Sequence, residues 1–139
     1  MAQRDAVGAR PARPGDLSRE RVVAALEDAW GLRVGDLRPV ASGWDGDAIV
    51  WVADDDANGL WSVKATVRDV RFGLEIAARL AREGAEGVVP PRPTRDGRLW
   101  HEVDGVTIAV SAWVAGADAV TVPVDVVDFA MLGRTLRRV

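Results

Sequence analysis

The sequence has 139 residues, of which 48% are hydrophobic, and its 21 acidic side chains outnumber its 18 basic ones to give a formal net charge of -3. This length and apolar content suit a single domain with its own core. The absence of cysteine excludes disulfides and thiolate metal sites, and no apolar run is long enough to span a membrane. The acidic balance argues against nucleic acid as the main partner, and no apolar segment follows the arginines near the amino terminus, so we expect a cytoplasmic protein without a secretory signal.

The amino-terminal part of the chain predicts a short arm, a helix and an edge strand. Residues 1–17 contain prolines and arginines in a setting typical of a disordered arm. Residues 19–30 have apolar side chains at helical spacing, and Gly31 follows as a stop signal. Residues 37–41 are predicted as a strand at a sheet edge, because Pro39 cannot donate a ladder hydrogen bond.

The middle of the chain predicts a β-hairpin followed by a helix. Two apolar runs, 48–52 and 60–67, are separated by the acidic and glycine-containing segment 54–59. A helix is predicted from residue 70 to 83, with an apolar face made by four side chains: Phe72, Ile76, Ala77 and Leu80.

A second hairpin and a final helix are predicted after a proline-rich crossing loop at 87–97. Strands at 98–103 and 106–113 turn at Asp104 and Gly105, a dipeptide typical of tight hairpins. A helix that opens near Pro123 is predicted to continue to the end of the sequence. Its apolar face comprises Phe129, Leu132, Leu136 and Val139.

Metal sites find little support in the sequence. Segment 54–59 matches the first half of a calcium-binding EF-hand loop, but the twelfth position is Ala65, where that loop needs a bidentate glutamate. His101 is the sole histidine, which argues against a zinc site. The sequence therefore predicts no metal ligand.

A catalytic triad of serine, histidine and aspartate that uses His101 stays open, although no G-x-S-x-G motif supports it.

Lys64 is the only lysine in the sequence, and it lies in an apolar predicted strand. No Walker A or G-x-G-x-x-G motif is present, but Ser42, Gly43 and Gly46 lie between two predicted strands, where glycine lets backbone N–H groups approach an anion. Glu75 on the following helix has two interpretations. It belongs either to a solvated charged face or to an ion pair with Lys64, which would then present its remaining donors to phosphate groups.

In their order and spacing these residues resemble the amino-terminal lobe of the aminoglycoside phosphotransferase family, the small-molecule relatives of protein kinases. The resemblance extends from about residue 20 to the end of the sequence. It implies an α+β fold, a five-stranded antiparallel sheet with flanking helices, in which residues 18–116 form a nucleotide-binding lobe. Residues 117–139 would be the hinge and the first helix of a carboxy-terminal lobe that is otherwise missing.

The resemblance also implies the ligand and the residues that hold it. ATP would bind with Mg²⁺, Lys64 would contact its phosphates, and Glu75 would hold Lys64, with Ser42, Gly43 and Gly46 forming the nucleotide loop.

The adenine base would have two sets of contacts. It would lie under Ser62 and either Ile49 or Ala48, and its edge would pair with backbone groups of Ala112 to Val114.

The family's reaction moves the γ-phosphoryl group of ATP to a hydroxyl of a small molecule. It uses an H-G-D-x-x-x-x-N motif and a later magnesium-binding aspartate, and neither occurs in these 139 residues. We therefore expect no catalytic residue and no metal ligand in this chain, and no kinase activity from it alone. The alternative hypothesis is a stand-alone module that binds a nucleotide or a protein without catalysis.

Overall fold

The computed structural model describes residues 11–41 and 46–116, together with Ala130, Gly133, Arg134 and Arg137. Within these residues the chain forms one five-stranded antiparallel sheet and two main helices, which confirms the predicted α+β class. None of the helices in this part of the chain is long and apolar enough to cross a membrane.

The helices and strands follow each other in an order close to the predicted one. They are α1 (Arg19–Ala25, continued by a π-helical turn at Leu26–Trp30), β1 (Val34–Pro39), β2 (Ala48–Asp55), β3 (Gly59–Thr66), α2 (Arg71–Arg82), β4 (His101–Val103) and β5 (Val106–Ala112). The strands lie in the order β1-β2-β3-β5-β4, and each neighbouring pair is antiparallel. Strand β3 is therefore the centre of the sheet, and β1, which contains Pro39, lies at an edge as predicted.

Helix α1 begins and ends through local signals in the sequence. The Ser18 hydroxyl accepts a hydrogen bond from the backbone N–H of Arg21, which satisfies one of the donors left free at a helix start. Gly31 ends the helical segment with a φ of 71°, in the left-handed region that glycine adopts without a steric penalty. A side chain at this position would also require the exposed Arg95 guanidinium to shift, since it lies 2.7 Å from the point that a Cβ atom would occupy.

Strand β3 has two different faces because successive side chains of a strand point to opposite sides. Val63 and Ala65 point to the side on which α1 lies, together with Leu37, Ala53, Ile108 and Val110, and all of these side chains are buried. We call this side the packed face. Ser62, Lys64 and Thr66 point to the other side, which we call the lysine face.

Helix α2 packs less closely than its sequence predicts. None of its twelve residues is buried, and Phe72 in its first turn is 76% exposed. Ile76, Ala77 and Leu80 are half-buried, so the predicted apolar face is correct in its later turns and wrong at Phe72. The later turns face the proline-rich crossing segment, with which Ala78 and Ala81 line a cavity.

The amino-terminal arm is shorter than predicted. Pro14–Asp16 form a 3-10 turn, and Pro14 and Leu17 are buried, so residues 11–17 lie against the domain rather than in a disordered arm. Leu17 supplies an apolar side chain to the core of the packed face, and proline restricts the backbone before it. Residues 1–10 lie outside the described residues. So do the apolar side chains of the predicted final helix, Phe129, Leu132, Leu136 and Val139, whereas the four described residues near them are helical and exposed.

Strand β4 is shorter than predicted because the crossing segment occupies part of its place. The backbone N–H of Arg92 donates to the Val110 carbonyl, and Pro91 bridges Ser111, so these residues line the β5 edge beyond the end of β4. The Thr94 hydroxyl then accepts from the Arg98 backbone N–H and closes a turn that includes Arg98, the first residue of the predicted strand. The result is a strand of three residues, His101–Val103.

Candidate functional site

Lys64 lies at the middle of the lysine face. In the antiparallel register it faces Val50 on β2 and Ala109 on β5, and directly opposed residues of antiparallel strands point to the same side. Its own side chain is exposed, while Val50 and Ala109 are half-buried. The only lysine in the sequence thus stands above two small apolar side chains on an accessible sheet surface.

Two serine hydroxyls lie next to this lysine along the same face. Ser62 is two residues before Lys64 and is paired in register with Val52 on one side and Ser111 on the other.

The register also distinguishes Ile49 from Ala48, the two alternative residues expected to cover the adenine base together with Ser62. Ala48 pairs with Thr66 and shares the lysine face, whereas Ile49 pairs with Ala65 and lies on the packed face.

The segment that follows β5 exposes its backbone. The Trp113 N–H donates to the Leu60 carbonyl and extends the β3 pairing by one residue. Ala112 is exposed and Val114 is 64% exposed, and within residues 11–41 and 46–116 no backbone hydrogen bond involves Val114. Its N–H and carbonyl groups are therefore available in this part of the chain to bind the edge of a planar ligand.

The predicted nucleotide loop is described only at its end. Ser42 and Gly43 lie outside the described residues, whereas Gly46 begins a turn into β2 and has open space where a side chain would project. Asp47 follows and is bound to the far end of β3: its carbonyl accepts from the Thr66 hydroxyl, and its carboxylate accepts from the Arg68 guanidinium. Sequence reasoning missed Thr66 and Arg68, since neither forms part of a recognisable motif.

Lys64 and Glu75 are not paired in this structure. Both side chains are exposed, and no ion pair among the described residues joins them. Glu75 instead contributes to the charged surface of α2, because the pKa of Arg71 is raised chiefly by its hydrogen bond with Asp69 and to a smaller extent by the charges of Glu102 and Glu75. The pairing of Lys64 with Glu75 stays a prediction.

The acidic hairpin between β2 and β3 is closed by Asp55, which is not one of the residues that match the EF-hand pattern. Asp55 is almost fully buried, and its carboxylate accepts hydrogen bonds from the Asn58 side chain and the Ala57 backbone N–H. Burial by itself raises the pKa of Asp55, but these bonds and one from the backbone of Arg33 outweigh it and lower the pKa below its usual value. The carboxylate therefore closes the turn and extends β2 to residue 55, three residues beyond its predicted end.

Among the described residues, no three or more His, Asp or Glu side chains form a group that could bind a metal ion. His101 packs edge-on against Trp30, with ring centroids 6.2 Å apart. On the packed face, the Arg92 guanidinium lies 4.4 Å from the centre of the Trp61 ring, and the Trp30 indole N–H donates to the Arg92 carbonyl. These contacts hold the crossing segment against β3 and the π-helical turn.

Comparisons with known proteins agree with this geometry. No protein-family model and no curated protein sequence matches the chain. Among solved structures, it resembles spectinomycin phosphotransferase APH(9)-Ia in complex with ADP and spectinomycin, with a TM-score of 0.75 and 16% identity over 88% of this chain. The AMP-bound complex of the same enzyme gives a TM-score of 0.68 and 15% identity over 86% of this chain. The chain has the fold of a kinase-like amino-terminal lobe.

The likeness covers a minor part of the larger enzyme. The chain spans 37% of the length of the first of these structures and 36% of the second. At this level of identity the comparison establishes the shared fold, which confirms the fold expected from the sequence resemblance. Activity, substrate and site residues need support from this chain's own side chains.

Proposed function

We propose that this chain is the ATP-binding lobe of an enzyme that transfers the γ-phosphoryl group of ATP to a hydroxyl of a small molecule. The observation that supports this best is the position of Lys64, whose ammonium stands at the centre of the accessible face of the sheet between Val50 and Ala109. The fold adds support, since it is shared with a phosphotransferase whose structure was solved with ADP and spectinomycin.

Lys64 is suited to bind phosphate oxygens. Its ammonium has three donors and no acceptor, and charge-assisted hydrogen bonds to phosphate are among the stronger ones in proteins. No described residue pairs with it in an ion pair, so binding an anion here displaces no existing partner within that part of the chain. Glu75 lies on α2, and we propose that it pairs with Lys64 when the nucleotide is bound.

The base of the nucleotide has a surface and an edge to bind. Half-buried Val52, which faces Ser62, and its neighbour Val50 provide apolar area on the lysine face, and a planar base buries its face against such side chains. Ala48 faces Thr66 at the other end of this face, beyond Lys64. The exposed backbone after Ala112, at Val114, offers the hydrogen-bonding groups that read the edge of a base. We therefore propose that the base lies toward Val114 and the phosphates toward Lys64 and Gly46.

Phosphoryl transfer also needs groups that the described residues do not provide. Mg²⁺, when bound, would neutralise charge on the phosphates, but the described part of the chain has no cluster of acidic side chains to hold it, and we assign it no ligand here. No described residue is assigned as the group that orients the acceptor hydroxyl. The proposed role of this chain alone is therefore ATP binding without transfer, and aminoglycosides, macrolides, amino alcohols and sugars are all open as acceptors.

Calorimetric titration of the 139-residue chain with Mg-ATP tests the proposal. We expect Lys64→Ala to weaken ATP binding about 10- to 100-fold, as for the loss of a hydrogen bond to a charged group. Arg98→Ala is the matched control, since it also removes one exposed cation but lies directly after the crossing segment, away from the lysine face. The proposal fails if the wild-type chain binds no ATP, or if both variants weaken binding equally. A chain that binds only a protein partner would give the first of these results.

A further inference from the structure

Thr66 and Arg68, directly after the centre of the lysine face, form a connected set of hydrogen bonds with Asp47. The Thr66 hydroxyl donates to the Asp47 carbonyl at 3.0 Å, and the Val67 N–H donates to the same carbonyl at 3.4 Å. The Arg68 guanidinium donates through two nitrogens, at 3.1 and 3.0 Å, to one carboxylate oxygen of Asp47. Asp47 is thus held by both its backbone and its side chain.

The Thr66 hydroxyl has a fixed orientation in this set. Its one proton is used for the Asp47 carbonyl, and its oxygen accepts from the Arg68 backbone N–H at 3.2 Å. Thr66 is 1% exposed, so these bonds are shielded from water, and a shielded polar group that loses its partner carries a larger penalty than an exposed one. The Asp47 and Arg68 side chains are more than half exposed, and their ion pair contributes less.

The position of this set is what gives it a functional meaning. Asp47 directly follows Gly46 and precedes β2, so it marks where the predicted nucleotide loop joins the sheet. Thr66 lies two residues after Lys64 on the same face of β3. These hydrogen bonds therefore extend the β2–β3 pairing, in which Ala48 faces Thr66, by one residue to Asp47. They hold together the two elements that the proposed function assigns to the phosphates.

We propose that Thr66 and Arg68 are positioning residues for the phosphate groups of the bound nucleotide. By holding Asp47, they keep Gly46, the end of the nucleotide loop, in place relative to Lys64. This arrangement makes the site complementary to a chain of phosphates. This inference rests on the proposed ATP site. It predicts that loss of the Thr66 hydroxyl weakens binding of ATP more than binding of AMP, which lacks the β- and γ-phosphates.

A matched pair of variants, Thr66→Val and Thr66→Ser, separates the hydroxyl from the volume of the side chain. Calorimetric titrations with Mg-ATP and with AMP give the affinity ratio, which a purely structural defect would not change. We expect Thr66→Val to weaken ATP binding about three- to tenfold and AMP binding less than about twofold. Thr66→Ser keeps the hydroxyl and should retain the wild-type ratio. Equal weakening of ATP and AMP in Thr66→Val would overturn the inference.

Arg68→Gln provides a second test with a variant that changes an exposed side chain. We expect a loss of ATP affinity of about twofold and no such loss in Arg79→Gln, which also removes an exposed cation that forms an ion pair with a described residue. If Arg68 acts through Asp47, Arg68→Gln should have little further effect in an Asp47→Asn background. An undiminished effect there would show that Arg68 does not act through Asp47 and would overturn its positioning role.

The same titrations distinguish failure of this inference from failure of the proposed function. If the wild-type chain binds no ATP, both are overturned. If Lys64→Ala weakens ATP binding while Thr66→Val leaves the ratio of ATP to AMP affinity unchanged, the ATP site stands and the inference alone is wrong.

Discussion

The two faces of the sheet differ in how they use apolar side chains. On the packed face, Val63, Ala65 and Ile108 are fully buried beneath α1 and its π-helical continuation. On the lysine face, Val50 and Ala109 lie at the corresponding central positions but are only half-buried, and Thr66 is buried only at the end of β3. The same strands thus provide a stable core on one side and an accessible surface on the other.

This difference follows from what lies over each face. Helix α1 is anchored to both edges of the sheet, since Arg19 donates to the Leu37 carbonyl on β1 and Arg21 forms an ion pair with Asp104 in the β4–β5 turn. Helix α2, by contrast, has no buried residue and contributes none to the core of the packed face. Stability should therefore depend on the packed face and ligand binding on the lysine face.

Val63→Ala compared with Val50→Ala should show the largest difference in stability. We expect Val63→Ala to lower the free energy of unfolding by about 2–3 kcal/mol, because it removes buried methyl groups and leaves a cavity. Val50→Ala makes the same chemical change on the lysine face and should cost less than about 1 kcal/mol. Urea unfolding measures both, and equal losses would contradict the division between the faces.

Asp55→Asn should have the next largest effect, and the effect should depend on pH. We expect a loss of about 1–3 kcal/mol near neutral pH, because buried donors lose a charged acceptor. Because the folded-state pKa of Asp55 is lowered from its usual 3.8, its contribution is present above that value and is lost as the pH falls through the folded pKa.

The measurement for Asp55 is urea unfolding across the acid range. The difference between wild type and Asp55→Asn should shrink below about pH 4. Asp56→Asn changes an exposed neighbour and should behave like wild type. A difference that is independent of pH would argue that the charge of Asp55 is not what stabilises the hairpin.

Arg92→Ala should have a smaller effect, through the stacking of its guanidinium on Trp61. We expect a loss of about 0.5–2 kcal/mol in a thermal unfolding experiment. The hydrogen bond from Trp30 is made to the Arg92 backbone carbonyl, so it does not depend on the side chain. Arg92→Lys keeps the charge but not the planar group, and full recovery by lysine would show that charge rather than stacking is responsible.

Lys64→Ala should have the smallest effect on stability although it removes the residue most important for the proposed function. Its side chain is exposed and has no ion pair among the described residues, so we expect a change within about 0.5 kcal/mol. Thermal unfolding without nucleotide measures it. A large loss would mean that Lys64 has a structural role, and its effect on ATP binding would then need another explanation.

The sequence predicted most of the fold because local signals and tertiary packing agree there. Gly31 ends the first helical segment, Asp104 and Gly105 turn the last hairpin, and Pro39 lies in an edge strand, each for the backbone reason that the sequence indicates. The limits of β4 could not be predicted, because the backbone of Arg92 occupies the β5 edge and nothing local to residues 98–100 indicates that.

The candidate site was less predictable than the fold. Lys64 stood out because it is the only lysine, but its neighbours Val50 and Ala109 depend on strand register, which the pattern of the sequence does not fix in detail. Asp55, Thr66 and Arg68 were missed because their importance comes from side-chain hydrogen bonds to residues brought close by the hairpin. Such contacts depend on the three-dimensional arrangement rather than on a motif.

The sheet order has a consequence for the folding kinetics of this chain. The β1–β2, β2–β3 and β4–β5 pairs join strands that follow each other in sequence, whereas the β3–β5 pair joins residues about 40 to 50 positions apart. Closing that long loop is expected to be slow relative to the hairpins. Lys64 gains Val50 as a neighbour in a local hairpin but gains Ala109 only in this long-range step. A nucleotide that binds the completed surface should therefore slow unfolding and leave the refolding rate unchanged.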